Sequence, residues 1–128
     1  MKKIILFICL ISIFNSCEKD NNPKNVVLTY LNSIDNFDFI KAEEQIDQNG
    51  EVLKGFNYIK DKSAKMSESE KKEMIQKPNY NIILKSNEKD SAKVFVSNIQ
   101  NEERTYIIEF YLRKINGKWK IYKLESKN

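Results

Sequence analysis

Tyr106-Ile107-Ile108-Glu109-Phe110-Tyr111-Leu112-Arg113-Lys114-Ile115-Asn116-Gly117-Lys118-Trp119-Lys120-Ile121-Tyr122 decides the fold. Before Asn116-Gly117, apolar residues recur at every second position, the period of a strand with one buried face. Asn and Gly both tolerate the positive φ of a type I′ turn, so the pair predicts a two-residue hairpin. Such a turn sets the register: Ile115 faces Lys118, Leu112 faces Ile121 and Tyr111 faces Tyr122. Directly opposed residues share a sheet face. One face then carries Tyr106, Ile108, Phe110, Leu112, Trp119 and Ile121. The other carries Ile107, Glu109, Tyr111, Arg113, Lys120, Tyr122 and Leu124.

The same alternation runs through Tyr80, Ile82 and Leu84 and again through Ala92, Val94 and Val96. Asn87-Glu88-Lys89-Asp90 and Asn98–Glu102 read as the turns between these strands. Upstream of Asn79 the period is helical. Val26, Val27, Tyr30, Leu31 and Ile34 form one stripe, opened by Asn22-Pro23 and broken by Asp35-Asn36. A second helix is predicted over Asp38–Ile46, with Phe39, Ala42 and Ile46 inward and Asp47-Gln48-Asn49-Gly50 as its end. Val52, Leu53, Phe56 and Ile59 continue a helical pattern that weakens towards Lys65. Ser67-Glu68-Ser69-Glu70 has the form of a capping box. Glu68 with Lys72 and Glu73 with Lys77 are spaced for ion pairs along a solvated helix that Pro78 stops. Helices first and strands second predict an α+β domain, its helices on one side of a curled antiparallel sheet of about four strands.

The amino terminus says where this domain works. Met1-Lys2-Lys3, the apolar run Ile4–Phe14 and Asn15-Ser16-Cys17 resemble the bacterial lipoprotein signal, in which the cysteine thiol receives a diacylglycerol before cleavage. The run is about half the roughly 20 apolar residues that a membrane-spanning helix needs. The resemblance implies a signal peptide over 1–16, lipid on Cys17, a tether over 17–23 and a folded domain over 24–128. Cys9 leaves with the signal, so Cys17 is the one cysteine of the mature chain and no internal disulfide forms. A tether of about six residues reaches roughly 20 Å, which holds the domain close to the bilayer. Glu18-Lys19-Asp20 looks like the acidic-and-lysine export signal on surface lipoproteins of the Bacteroidetes, and the excess of lysine over arginine fits an AT-rich genome of that group. The implied location is the cell envelope, on the periplasmic or surface face of the outer membrane.

Loss of Lys2 and Lys3 leaves 20 basic against 18 acidic residues, a balance of +2. The charges are interspersed, so neither nucleic acid nor a polybasic membrane contact is indicated. Val26-Val27-Leu28-Thr29-Tyr30-Leu31-Asn32-Ser33-Ile34, then Asp35-Asn36-Phe37-Asp38-Phe39-Ile40-Lys41-Ala42, resemble the opening helices of the NTF2-like cone fold. Ile115-Asn116-Gly117-Lys118-Trp119-Lys120-Ile121 is similar to its final hairpin. The nearest likeness is to small lipoproteins of that fold with no assigned function. Homodimers through the sheet are what the resemblance implies for assembly.

Catalytic members of the fold place aspartate, histidine or tyrosine inside the cone, and this chain contains no histidine. Imidazole acid–base work, histidine-bound metals and Ser-His-Asp triads are excluded. No glycine loop suited to phosphate is present, and no cofactor is expected. The candidate ligand-binding residues are Glu109, Tyr111, Arg113, Lys120 and Tyr122, on the sheet face away from the apolar stripe. The plainer reading leaves Glu109 and Arg113 solvated and the tyrosines covering the core edge. Trp119 reads as a core anchor, and Asp35 and Asp38 as helix caps in preference to cation ligands. The expected role is a non-catalytic binding or accessory module for a protein or small ligand. Two alternatives stand beside it: an isomerase or hydrolase using a buried carboxylate with a tyrosine, and an immunity-type lipoprotein that blocks a toxin. A closed pocket bringing Glu109 within hydrogen-bond reach of a tyrosine marks the enzyme.

Overall fold

The computed structural model describes residues 21–74, 80–100 and 103–127, with four helices preceding four strands. Side chains of 98–100 and 103–106, Tyr106 among them, lie outside the description, as do Lys77 and Pro78. Asn22 caps α1 (Pro23–Asp35) by accepting the Asn25 N–H at 3.0 Å. Pro23 fits there because the first turn needs no N–H. Val26, Val27, Tyr30 and Leu31 point into the core as the stripe requires.

Asp38 caps α2 (Phe39–Glu43), its carboxylate accepting the Lys41 N–H at 3.2 Å. This helix stops short of Ile46, where the sequence places its end. The backbone there is used differently: Ile46 makes a parallel bridge with Ile121. The Ile121 N–H donates to the Gln45 carbonyl at 2.9 Å, and the Asp47 N–H donates to the Ile121 carbonyl at 2.8 Å. Sheet bonds outcompete a last helical turn. α3 (Val52–Ala64) buries Val52 and Phe56. α4 (Glu68–Met74) buries nothing and starts at the capping box, Ser67 Oγ accepting the Glu70 N–H at 3.2 Å. Glu68 pairs with Lys71 at 3.8 Å in place of Lys72.

β1 (Tyr80–Asn87), β2 (Ser91–Gln100), β3 (Glu103–Ile115) and β4 (Lys118–Lys127) form one curled antiparallel sheet in that order. The α+β expectation holds. Ala92, Val94, Val96, Phe110, Leu112, Trp119 and Ile121 bury one sheet face against α1 and α3, so Trp119 is a core anchor. Asn116 and Gly117 take φ of 52° and 78°, the values a type I′ turn demands.

From that turn the register runs as read, Ile115 opposite Lys118 and Leu112 opposite Ile121, and then it slips. Tyr111 lies opposite Lys123 and not Tyr122, and Phe110 lies opposite Leu124. Tyr122 and Lys123 together oppose Tyr111, which is a β-bulge. A one-residue slip turns every later side chain over. Leu124, expected on the outer face, packs against the core instead. Gly50 marks the same spot from outside the sheet: a Cβ there would sit 2.8 Å from both Cα and O of Tyr122.

Two glycines therefore respond oppositely to a methyl group. Gly50→Ala is expected to cost about 1–3 kcal/mol, because backbone must move to admit it. Gly55→Ala, inside α3 with nothing within 4 Å of the added carbon, is expected to gain about 0.5–1 kcal/mol. Urea denaturation of both variants measures this, and shifts of the same sign would contradict the close approach at Tyr122.

Candidate functional site

The slip in β4 assembles the centre of the outer face. Without it, Glu109 would oppose Leu124 and Glu125 would point into the core. With it, Glu109 lies between Phe95 on β2 and Glu125 on β4. Glu109 is 7% exposed, so it is not the solvated strand residue of the plainer reading. Two carboxylates opposed across strands repel, and the neighbours answer that. The Tyr111 hydroxyl stands 2.7 Å from Glu109 Oε2 and 2.9 Å from Glu125 Oε2. Its single proton serves one acceptor at a time. Lys127 Nζ lies 3.4 Å from Glu109 and 3.3 Å from Glu125, and Lys123 Nζ lies 2.9 Å from the other Glu125 oxygen.

The protonation states follow from these contacts. Hydrogen bonds from Lys123, Tyr111 and Lys127 hold the Glu125 carboxyl at about 2. The hydrogen bond to Glu109, then burial, then Glu125, push the Tyr111 phenol well above its ordinary range. At neutral pH Glu125 is an anion and Tyr111 a committed proton donor.

Arg113, Lys120 and Tyr122 form a second group beside the first. Arg113 Nε donates to Asp47 Oδ2 at 2.6 Å, and its Nη2 pairs with the same oxygen. The guanidinium also lies 4.9 Å from the Tyr122 ring centre. Lys120 Nζ donates to the Glu44 backbone carbonyl. Arg113 from β3 and Lys120 from β4 thus clasp the segment between α2 and α3 to the hairpin. Asp47 is 4% exposed. Burial raises its carboxyl, but the Asn49 N–H and Arg113 outweigh that and hold it below the usual carboxylate range. Burial, helped by Lys118, lowers the Lys120 ammonium. Of the five candidates, Glu109, Tyr111 and Tyr122 meet at one place, the two tyrosine rings 6.3 Å apart. Arg113 and Lys120 are occupied in holding the chain.

An open groove of about 520 Å³ crosses this face, lined chiefly by Lys85, Lys93, Phe95, Glu109, Tyr111 and Tyr122. Lys85 Nζ stands 4.6 Å over the Phe95 ring and Lys93 Nζ 5.3 Å over the Tyr111 ring. Among the described residues neither lysine makes an ion pair. Lys93 and Phe95 were within reach of sequence reasoning, since they alternate with Ala92, Val94 and Val96. Glu125, Lys123 and Lys127 were not, because the bulge decides which way they face. Asp47 reads as a turn residue until Arg113 is seen to meet it. Asp38 caps its helix as expected, whereas Asp35 accepts the Tyr80 hydroxyl at 2.5 Å. Among the described residues no cluster of three His, Cys, Asp or Glu side chains suited to a metal occurs, and no helix is long and apolar enough to cross a membrane. Cys17 lies outside the described residues.

Acid should dismantle the Glu125 contacts in a defined window. The carboxyl titrates at 4.5 in a free chain and at about 2 here, so its stabilisation is complete above the first value and lost as pH falls towards the second. Asp47 acts with the same sign. Glu125→Gln is expected to be less stable than the wild type near neutrality and to lose less on acidification. Urea midpoints at about pH 7 and about pH 3 measure this, and an unchanged acid slope in the variant would contradict the assignment. No family model matches this chain, and neither does any curated protein or solved structure.

Proposed function

We propose that this chain is a lipid-anchored, non-catalytic binding module of the cell envelope, built on an NTF2-like cone, whose outer sheet face receives an anionic group of a protein or small ligand. The observation that carries this is the charge state of the groove. Glu109 and the adjoining Glu125 are already matched by Tyr111, Lys123 and Lys127, which leaves Glu88, beside the Ser91 hydroxyl, as the one lining acid without a cation among the described residues. Lys85 and Lys93 stand over aromatic rings with no carboxylate of their own. An ammonium over a ring keeps most of its charge for a newcomer, and a flat aromatic floor admits planar or extended ligands.

Catalysis fits the same residues poorly. A general base needs a carboxylate free to take a proton in a site shielded from water. Glu109 is 2.7 Å from a tyrosine, half of what the enzyme alternative asks, but its oxygen is shared with Lys127 and its groove is open. The order of helices followed by one antiparallel sheet supports the cone. The lysine-flanked apolar run ending at Cys17 supports the anchor.

Native mass spectrometry of the mature protein, released from its own envelope in mild detergent, tests both parts. Added mass on the intact chain, abolished by Cys17→Ala, is expected for the lipid. A co-purifying anionic partner, lost from the double variant Lys85→Glu/Lys93→Glu, is expected for the groove. A mature chain without added mass contradicts the anchor, and a partner retained by the charge-reversed variant contradicts the groove.

A further inference from the structure

Tyr30 is 5% exposed, and its hydroxyl makes no hydrogen bond among the described residues. Its ring is fixed by an edge contact with Phe110, centroids 6.2 Å apart. A largely buried hydroxyl that no protein group meets leaves a donor for an incoming acceptor. Tyr30 lines a recess of about 280 Å³ between α1, α3 and the end of β4, on the opposite side of the sheet from the groove. Val52, Phe56, Ile59 and Leu124 supply apolar walls, and Gly55 leaves space where any side chain would intrude. A water there would find one hydroxyl and few further partners, which is too little to hold it well.

We infer that this recess is a second binding site, for a small, neutral, largely apolar molecule whose carbonyl-type oxygen accepts a hydrogen bond from Tyr30. The lining residues fix that chemistry. None is a lysine or arginine, and Glu51 sits at the rim, so an anion is disfavoured. Burial pushes the Tyr30 phenol up to about 12, so it stays a donor and asks for an acceptor. An aryl ketone offers both the acceptor and the apolar body.

Titration of the full chain with acetophenone, followed through the backbone amide signals of Gly55, Ile59 and Leu124, tests the assignment. Benzoate, of nearly the same shape but charged, is the comparison. Saturable shifts with the ketone and weaker binding of benzoate are expected. Tyr30→Phe keeps the ring and should bind acetophenone roughly three- to tenfold more weakly, the range for one neutral hydrogen bond. Gly55→Leu keeps the fold and should abolish the shifts by filling the recess. Absence of saturable shifts at these amides, equal affinity in Tyr30→Phe, or benzoate bound as tightly as the ketone would each overturn it. The Lys85→Glu/Lys93→Glu variant should bind acetophenone unchanged, which separates this site from the groove.

Discussion

The β3–β4 hairpin holds two registers, and the point where one gives way to the other organises both faces of the sheet. Near the turn, Asn116-Gly117 forces Leu112 opposite Ile121 and drives both into the core. Past Tyr122 the pairing is offset by one residue. That offset sends Leu124 inward to Phe110 and turns Glu125 outward to Glu109. In the unshifted register a carboxylate would enter the core and a leucine would stand beside Glu109. Burying an unpaired carboxylate costs far more than a bulge does. The later half of β4 therefore has one workable register, and the bulge is how the chain reaches it from a two-residue turn.

The segment between α2 and α3 is fitted to this irregular stretch. Ile46 adds a short parallel bridge to Ile121, Gly50 comes against the backbone of Tyr122, and Asp47 crosses to Arg113. Each contact needs a particular feature of the hairpin. The bridge needs an open edge on β4, and the close approach needs a residue with no side chain. The ion pair needs the outward direction that Arg113 has in the first register. Asp47 carries its charge at 4% exposure, which is tolerable because Arg113 and the Asn49 N–H both meet it. The helical layer is thus joined to the sheet twice, by the core and by a polar clasp at the rim.

Much of this was legible in the sequence, and the rest was hidden for physical reasons. The stripe from Val26 to Ile34, the caps at Asn22, Asp38 and Ser67, and the Asn116-Gly117 turn depend on neighbours within a few residues, and their periodicity or side-chain chemistry displays them. α2 is shorter than its sequence pattern because Gln45, Ile46 and Asp47 bond to a strand some 75 residues away, a competition no local pattern reports. The outer face was half legible. Glu109, Tyr111 and Arg113 follow from alternation along one strand, but the partners that set their charge lie beyond the bulge or in a loop. In the sequence Tyr30 is one more residue of an apolar stripe. Only the packed structure shows that its ring is buried usefully and its hydroxyl is not.

The two lateral edges of the sheet are broken in different ways, and this bears on how the protein behaves when crowded. On β1 the pairing with β2 skips Lys85, so a charged residue and a kink interrupt the edge between Leu84 and Ser86. On β4 the Ile46–Ile121 bridge already occupies part of the edge. A flat, unoccupied edge is a template on which another chain can add a strand, the first step of sheet-wise aggregation. Here an incoming strand would meet a lysine and a change of register on one side and a seated loop on the other. Where copies of a protein meet repeatedly at high concentration, a sheet with both margins spoiled can withstand those encounters without growing into a fibril.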